Sequence, residues 1–257
     1  MNSTDTRRFG GICRLYSKVG FEKLRRAHVC VVGLGGVGSW CAEALARTGV
    51  GRLTLIDADT VAESNINRQL PALTSSIGRP KVEILAERFA DINPEVELTV
   101  RQVFVEAGNF EEVIPADAIL VDAIDSLSAK AELIAWAHAA RRTIVVSGGA
   151  GGRTDPSQIT VSDLALVSGD ALLAKLRTRL RKEFGFPAGA NDPKRTRAFG
   201  IAAVYSRQKG RPCAADAIED AGADAGFGTA VVVTASVGLR LASEVIDRIV
   251  GKEPHGC

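Results

Sequence analysis

Two cations, Arg68 and Lys81, follow a glycine-rich turn and a run of acids in an order suited to phosphate chemistry. An arginine guanidinium grips phosphate oxygens in pairs, and a lysine ammonium is a compact point charge on a chain of phosphates. Around them stand Asp57-Ala58-Asp59, Ser64-Asn65-Ile66-Asn67-Arg68-Gln69 and Gly78-Arg79-Pro80-Lys81. A nicotinamide cofactor has no use for that dense polar set. A triphosphate split between its α and β phosphates does, because preorganised cations stabilise the charge that develops on departing pyrophosphate. Asp122 and Asp125 add two more carboxylates. Asp125, just past a strand end, is placed for Mg²⁺, which takes a carboxylate or two together with phosphates and water; the plainer role is an acid complementing a helix dipole.

These residues need a scaffold that brings them together, and the pattern supplies one. Residues 29–32 (Val-Cys-Val-Val) read as a buried strand, and Gly33-Leu34-Gly35-Gly36-Val37-Gly38 turns the chain into a helix reaching Arg47. Glycines at 33, 35, 36 and 38 let backbone approach a phosphate at a helix N-terminus, whose free N–H groups and dipole favour an anion. A second strand, 53–56, ends at Asp57, the right distance on for an acid that holds ribose hydroxyls. Taken alone, this GxGGxG equally fits a NAD or FAD enzyme.

Strand and helix then alternate, which predicts a parallel sheet covered on both faces. Pro80 suits the first turn of a helix to about Ala90, 97–103 alternates like a half-exposed strand, and 118–121 is a buried strand ending at Asp122. Ser126 is placed to cap a helix carrying Lys130 to Ala140, and 143–146 is a fifth strand before a glycine run at 148–152. Residues 158–161 form a short strand that starts an antiparallel extension. Leu172, Leu173, Leu176 and Leu180 recur at helical spacing with basic residues opposite. Residues 185–200 read as a long basic loop, and 229–250 as a final apolar helix. The expected fold is α/β, a doubly wound, Rossmann-like and mostly parallel sheet with an antiparallel extension and a C-terminal helix. One unit spans 1–257: a helical arm (1–28), a nucleotide-binding core (29–162) and a C-terminal extension (163–257).

Composition sets outer bounds. The chain has 257 residues, 46% hydrophobic and 24% charged, which is ordinary for one globular domain. Nothing near the N-terminus reads as an apolar leader, and the longest apolar run, 229–239, is too short to span a bilayer, so a cytoplasmic protein with no membrane partner is expected. Of five cysteines (13, 30, 41, 213, 257) none makes a CxxC pair, and Cys30 and Cys41 read as small buried hydrophobes. The three histidines are scattered and indicate no histidine chemistry. The net charge of +2 conceals a segment, 175–211, with eleven cations against Glu183 and Asp192; at +9 it leaves −7 for the rest of the chain. Such a run is either a solvated face or the footprint of an acidic macromolecule such as RNA.

With these motifs quoted, a resemblance is specific. Asp-x-Asp, Ser-Asn-x-Asn-Arg-Gln, Gly-x-Pro-Lys and Asp-x-x-Asp after GxGGxG resemble the adenylation domain of ubiquitin-activating enzymes and their bacterial relatives in molybdopterin and thiamine biosynthesis, over Arg8 to about Val161. The resemblance implies adenylation of a carboxylate by MgATP. Gly33, Gly35, Gly36, Asp57, Asp59 and Asp122 would then belong to the nucleotide site, Asp57 on ribose, with Asn65, Arg68 and Lys81 on the phosphates and Asp125 on the metal. It also implies a homodimer. In such enzymes Arg-Tyr-x-Arg-Gln near the N-terminus sends an arginine to the partner's ATP; Gly11 stands at that place, so Arg8 or Arg14 would have to serve.

Within that superfamily the sequence is more similar to the tRNA threonylcarbamoyladenosine dehydratases. Arg8-Phe9-Gly10-Gly11, Asp122-Ala123-Ile124-Asp125-Ser126, Gly148-Gly149-Ala150-Gly151-Gly152, Lys175-Leu176-Arg177 and Gly226-Phe227-Gly228 carry that likeness. It implies activation of the threonylcarbamoyl carboxylate beside the tRNA anticodon and ring closure by the side chain's own carbamoyl group. No enzyme nucleophile is then required; Cys213 would be the one candidate in the C-terminal half. A sulfur-transfer protein is a further implied partner. The alternative is an activating enzyme for a ubiquitin-like sulfur carrier, which should show a zinc-binding CxxC pair.

Overall fold

The computed structural model describes residues 3–190, 196–211 and 227–251, with side chains from Arg7 onward. Cys213, Gly226, Lys194 and Arg195 lie outside the described residues.

One seven-stranded sheet organises the chain. Its strands are β1 (His28–Val32), β2 (Arg52–Ile56), β3 (Glu97–Arg101), β4 (Ile119–Asp122), β5 (Ile144–Ser147), β6 (Ile159–Asp163) and β7 (Ala202–Ser206). They lie in the order β3-β2-β1-β4-β5-β7-β6. All neighbours are parallel except β6 and β7, where Ile159 faces Ser206 and Asp163 faces Ala202. The order reverses between β1 and β4, so a crevice opens beyond their carboxyl ends, the place where doubly wound sheets bind ligands.

The predicted strands and main helices are present. β1 reads Val-Cys-Val-Val after His28 because it is buried on both faces, as parallel central strands must be. The edge strand β3 is more exposed than a half-buried strand: four of its five positions face solvent. β6 forms the expected antiparallel extension, and β7, a fully buried strand unread in the sequence and parallel to β5, lies between β6 and β5. One expectation is corrected. Ser126 stands at the N-cap position of its helix, but its hydroxyl makes no capping bond.

The helices are α1 (Ser3–Arg26), α2 (Gly38–Thr48), α3 (Lys81–Ile92), α4 (Phe110–Val113), α5 (Leu127–Ala139), α6 (Ala171–Glu183) and α7 (Val231–Val250). α1 is the expected arm, broken at Ser17, where the backbone leaves helical geometry (φ 66°, ψ 168°). Two apolar layers sandwich the sheet. On one face α7 contributes Val233, Val237, Leu241 and Val245 at a four-residue spacing, beside Leu45, Leu53, Leu85 and Phe89. On the other, Leu133, Ile134, Leu173, Leu176 and Leu180 pack on Leu120, Val146 and Tyr205. Cys30 and Cys41 lie inside this core, and burial pushes the Cys30 thiol up to about 12, consistent with an inert hydrophobe. Among the described residues no helix is long and apolar enough to cross a membrane.

Candidate active site

A cavity of about 610 Å³ lies at the carboxyl ends of β1, β2, β4 and β5. Its wall includes Gly33, Gly35 and Gly36, Asp57 and Asp59, Arg68, Lys81 and Asp125, so residues spread over ninety positions of sequence converge.

The glycine turn is shaped by backbone contact. Gly33 adopts φ +86°, and a Cβ there would sit 2.8 Å from the carbonyl oxygen of Ala123. A Cβ on Gly38 would lie 1.8 Å from the oxygen of Gly33, so the chain doubles back too tightly for any side chain. α2 then begins without a side-chain cap, directly after Gly35, Gly36 and Val37 on the cavity wall. Asp57 braces the turn from β2: its Oδ2 accepts from Leu34 N at 2.6 Å and its Oδ1 from Asp59 N at 2.8 Å.

Lys81 opens α3, and its main chain is pinned to β2's extension, donating to Asp59 O at 3.1 Å. The side chain is only 3% exposed, with Nζ 2.8 Å from Asp59 Oδ2. Asp59 is itself 56% exposed, so the lysine's single carboxylate partner stays wet on its far side. Arg68 is held by its own turn, Nη1 donating to Ser64 O and Asn67 Oδ1, both at 2.8 Å. Trp40 Nε1 donates to Arg68 O, and Asn67 Nδ2 donates to Thr229 O, which ties this turn to α2 and to the chain before α7. The Asp125 carboxylate is exposed on the cavity wall and makes no hydrogen bond or ion pair with a described residue.

Two predicted site residues are placed elsewhere. Asn65 is absent from the wall: its Oδ1 accepts from Ala62 N at 3.1 Å, closing the turn that carries Arg68. Asp122 is fully buried beneath the cavity, with Lys130 Nζ at 2.9 Å and both side chains sealed from solvent. Burial pushes the Asp122 carboxyl up, against the opposing pull of Lys130. Lys130 also donates to the Ile124 carbonyl at 3.0 Å, so this pair shapes the loop on which Asp125 stands. The reason is positional: Asp122 is the last residue of a central strand and points into the layer, whereas Asp125 is beyond it.

Other wall residues were not singled out from sequence. Gln69 is 9% exposed, and its Oε1 is buried with no partner among the described residues. An unsatisfied buried acceptor on a cavity wall is the kind of group a ligand satisfies. Its sequence signal is its place beside Arg68. Phe104, three-quarters exposed after β3, and Thr234 on α7 also line the cavity; an isolated Phe and Thr carry no sequence signal.

The glycine run after β5 forms the remaining wall. Asp170 fixes it: Oδ2 accepts from Gly149 N at 3.0 Å and from Arg153 Nη2 at 2.9 Å, while Oδ1 accepts from Leu173 N and caps α6. Of the two arginines considered for a partner's site, Arg8 is tied to the end of α3, donating to Asp91 O and Ile92 O, whereas Arg14 has no hydrogen bond to a described residue. Among the described residues no cluster of three or more His, Cys, Asp or Glu could hold a metal by itself. One carboxylate plus phosphate oxygens is nevertheless a usual Mg²⁺ site.

Comparison with known proteins supplies the family of this chain. The model of the ThiF family matches residues 11–256. A protein of Haemophilus influenzae named tRNA threonylcarbamoyladenosine dehydratase is 43% identical over 253 residues, covering 96% of this chain and 94% of that one. The crystal structure of Escherichia coli tRNA N6-threonylcarbamoyladenosine dehydratase in complex with AMP superposes with a TM-score of 0.86 at 40% identity, covering 98% of this chain and 97% of the other. The same protein in complex with ATP gives a TM-score of 0.84 at 40% identity, with 98% and 97% covered.

Proposed function

Because this chain belongs to the ThiF family, we propose that it is an ATP-dependent tRNA dehydratase that adenylates the carboxylate of N6-threonylcarbamoyladenosine and closes it to the cyclic form. The observation that carries the reading is the convergence on one glycine-walled cavity of Lys81, Arg68 and Asp125, the last without a partner among the described residues. In support, the similar E. coli enzyme has been crystallised with AMP and with ATP.

The adenosine ribose would rest against Asp57, whose two oxygens already organise the turn and retain lone pairs for hydroxyl donors. The first turn of α2 would receive phosphate oxygens through Gly35 and Gly36. A substrate carboxylate oxygen attacks the α phosphorus as the bond to the β-phosphate oxygen breaks, and pyrophosphate leaves with the electron pair. Lys81 and Arg68 would neutralise that departing charge, and because both are held before reaction, little reorganisation would be needed. Asp125 would hold Mg²⁺, which when bound would neutralise negative charge on the phosphates. The carbamoyl group of the same side chain then attacks the acyl carbon, loses a proton, and expels AMP. The net change in the nucleoside is loss of one water. Intramolecular attack needs orientation rather than an enzyme nucleophile, and the buried, high-pKa Cys30 and Cys41 offer none.

The whole chain would act as one unit in the cytoplasm, as a homodimer in which Arg14 rather than the engaged Arg8 reaches the partner's nucleotide. The test is nucleoside mass spectrometry of tRNA treated with protein and MgATP. Loss of one water from the threonylcarbamoyl nucleoside, absent with Lys81→Ala, is the expected result; an unchanged nucleoside with ATP consumed would overturn it.

A further inference from the structure

A second cavity, about 590 Å³, opens at the amino ends of β4, β5 and β7, the end of the sheet opposite the nucleotide site. Arg141, Arg142, Arg248 and His138 line it, and among the described residues no carboxylate side chain does. Two of these cations are engaged. Arg248 Nη1 is 2.9 Å from Glu244 Oε2. Arg142 lies over the Trp136 ring at 4.7 Å and donates to the Pro115 carbonyl, while its Nε is buried without a partner among the described residues. Arg141 is different: its side chain is exposed and makes no hydrogen bond or ion pair with a described residue.

The backbone at Arg141 sharpens this. α5 ends in a Schellman turn, with Arg142 N bonded to Ala137 O and Arg141 N to His138 O. Arg141 therefore occupies the left-handed position (φ 54°) that glycine fills most readily. An arginine there bears backbone strain that a glycine would avoid, while contributing no packing. A cation at a helix C-terminus complements the dipole, but that role is equally available at the preceding, unstrained positions.

The basic C-terminal end of α6 arrives at the same place. Phe186 packs tilted against His138, ring centroids 4.7 Å apart, and edge-on against Phe199 at 4.9 Å, and Phe199 is a wall residue. Arg181 of α6 lies over Phe199 at 5.5 Å. Arg181 thus brings a cation of the basic segment beside those of α5 and α7, and a cavity lined by several cations suits a polyanionic backbone better than a neutral metabolite. Resting on the tRNA reading above, we infer that this is a backbone-phosphate site for the RNA substrate, with Arg141 as the phosphate ligand.

The test uses the full chain, an unmodified tRNA transcript, and Arg141→Gly and Arg141→Lys, with affinity measured across a salt series. Glycine relieves the strained turn, so its thermal midpoint should equal or exceed the parent's and any lost affinity is not misfolding. Arg141→Gly should weaken tRNA binding roughly fivefold and lower the log–log salt slope by about one, while Arg141→Lys keeps most of both. ATP binding at the far end of the sheet should not change. If the parent binds tRNA and Arg141→Gly matches it in affinity and slope, the site is refuted and the tRNA reading stands. A parent that fails to bind tRNA refutes both. If inorganic phosphate stabilises the parent but not Arg141→Gly, with tRNA binding equal in the two, the ligand is a free anion and the RNA assignment is wrong.

Discussion

Lys81 Nζ sits 2.8 Å from Asp59 Oδ2, with the lysine buried and the aspartate half in water. The arrangement stores a positive charge on the cavity wall without exposing it. Truncating Lys81 to alanine leaves Asp59 free to rehydrate, so little stability is lost, but the charge proposed to face the leaving group is gone. Lys81→Ala should reduce pyrophosphate exchange by about 10²–10³-fold while the unfolding midpoint moves little. Asp59→Asn keeps a hydrogen-bonding group of the same shape beside Lys81, so a loss of at most about tenfold is expected if its task is to hold the ammonium in place.

Asp125 differs from the other acids of the site in having no partner among the described residues. A carboxylate left free on a cavity wall costs nothing to replace structurally. Asp125→Asn should therefore fold with unchanged stability yet demand more Mg²⁺ for half-maximal ATP cleavage. A magnesium titration of pyrophosphate exchange checks this; an unshifted curve would assign the residue to the helix dipole instead.

Glu43 on α2 provides a pH-dependent element remote from the chemistry. It is 5% exposed and receives hydrogen bonds from Arg47 at 2.7 Å and from Arg88 at 2.8 and 2.9 Å. Burial alone would raise its carboxyl, but the bonds from Arg88 and Arg47 carry it below the ordinary value. A depressed folded value means the stabilisation is full above the unfolded carboxylate value, about 4.3, and fades as pH falls through the folded one. Denaturant melts of the parent and Glu43→Gln should differ at neutral pH and converge as pH falls below the ordinary carboxylate range. A constant gap across that range would show that the carboxylate's charge contributes nothing.

Much of this was legible from residue order. Gly33 and Gly38 announce a turn with no room for side chains, and the distance from that turn to Asp57 follows from one helix and one buried strand. What sequence could not separate was which member of a motif faces the cavity. Asn65 and Arg68 share one turn, yet the asparagine's oxygen is consumed by Ala62 N and the guanidinium is left at the wall. Asp122 and Asp125 read as a pair, but three residues past a strand end decide whether a carboxylate is buried against Lys130 or open. β7 escaped because its short apolar run, Ala-Ala-Val-Tyr-Ser, follows a long basic stretch and pairs with β5 across more than fifty positions of sequence. Such a strand is specified by its neighbours, not by its own periodicity.

Asp170 makes the last case, because one buried carboxylate holds two elements with different tasks. It caps α6 through Leu173 N, and it fixes the glycine wall through Gly149 N and Arg153. Gly148 must lack a side chain for this to occur, since a Cβ there would lie 2.6 Å from Asp170 Oδ2. Arg153 is 6% exposed, so removing its partner strands a buried charge. Asp170→Ala should cost about 3–5 kcal/mol in denaturant unfolding, more than the roughly 1 kcal/mol of a lost cap alone. The double variant Asp170→Ala with Arg153→Met should recover part of that loss, because the orphaned guanidinium is gone while the cap is still missing. Additive losses in the two substitutions would mean the arginine and aspartate do not share their energy, and that α6 and the glycine wall are anchored separately.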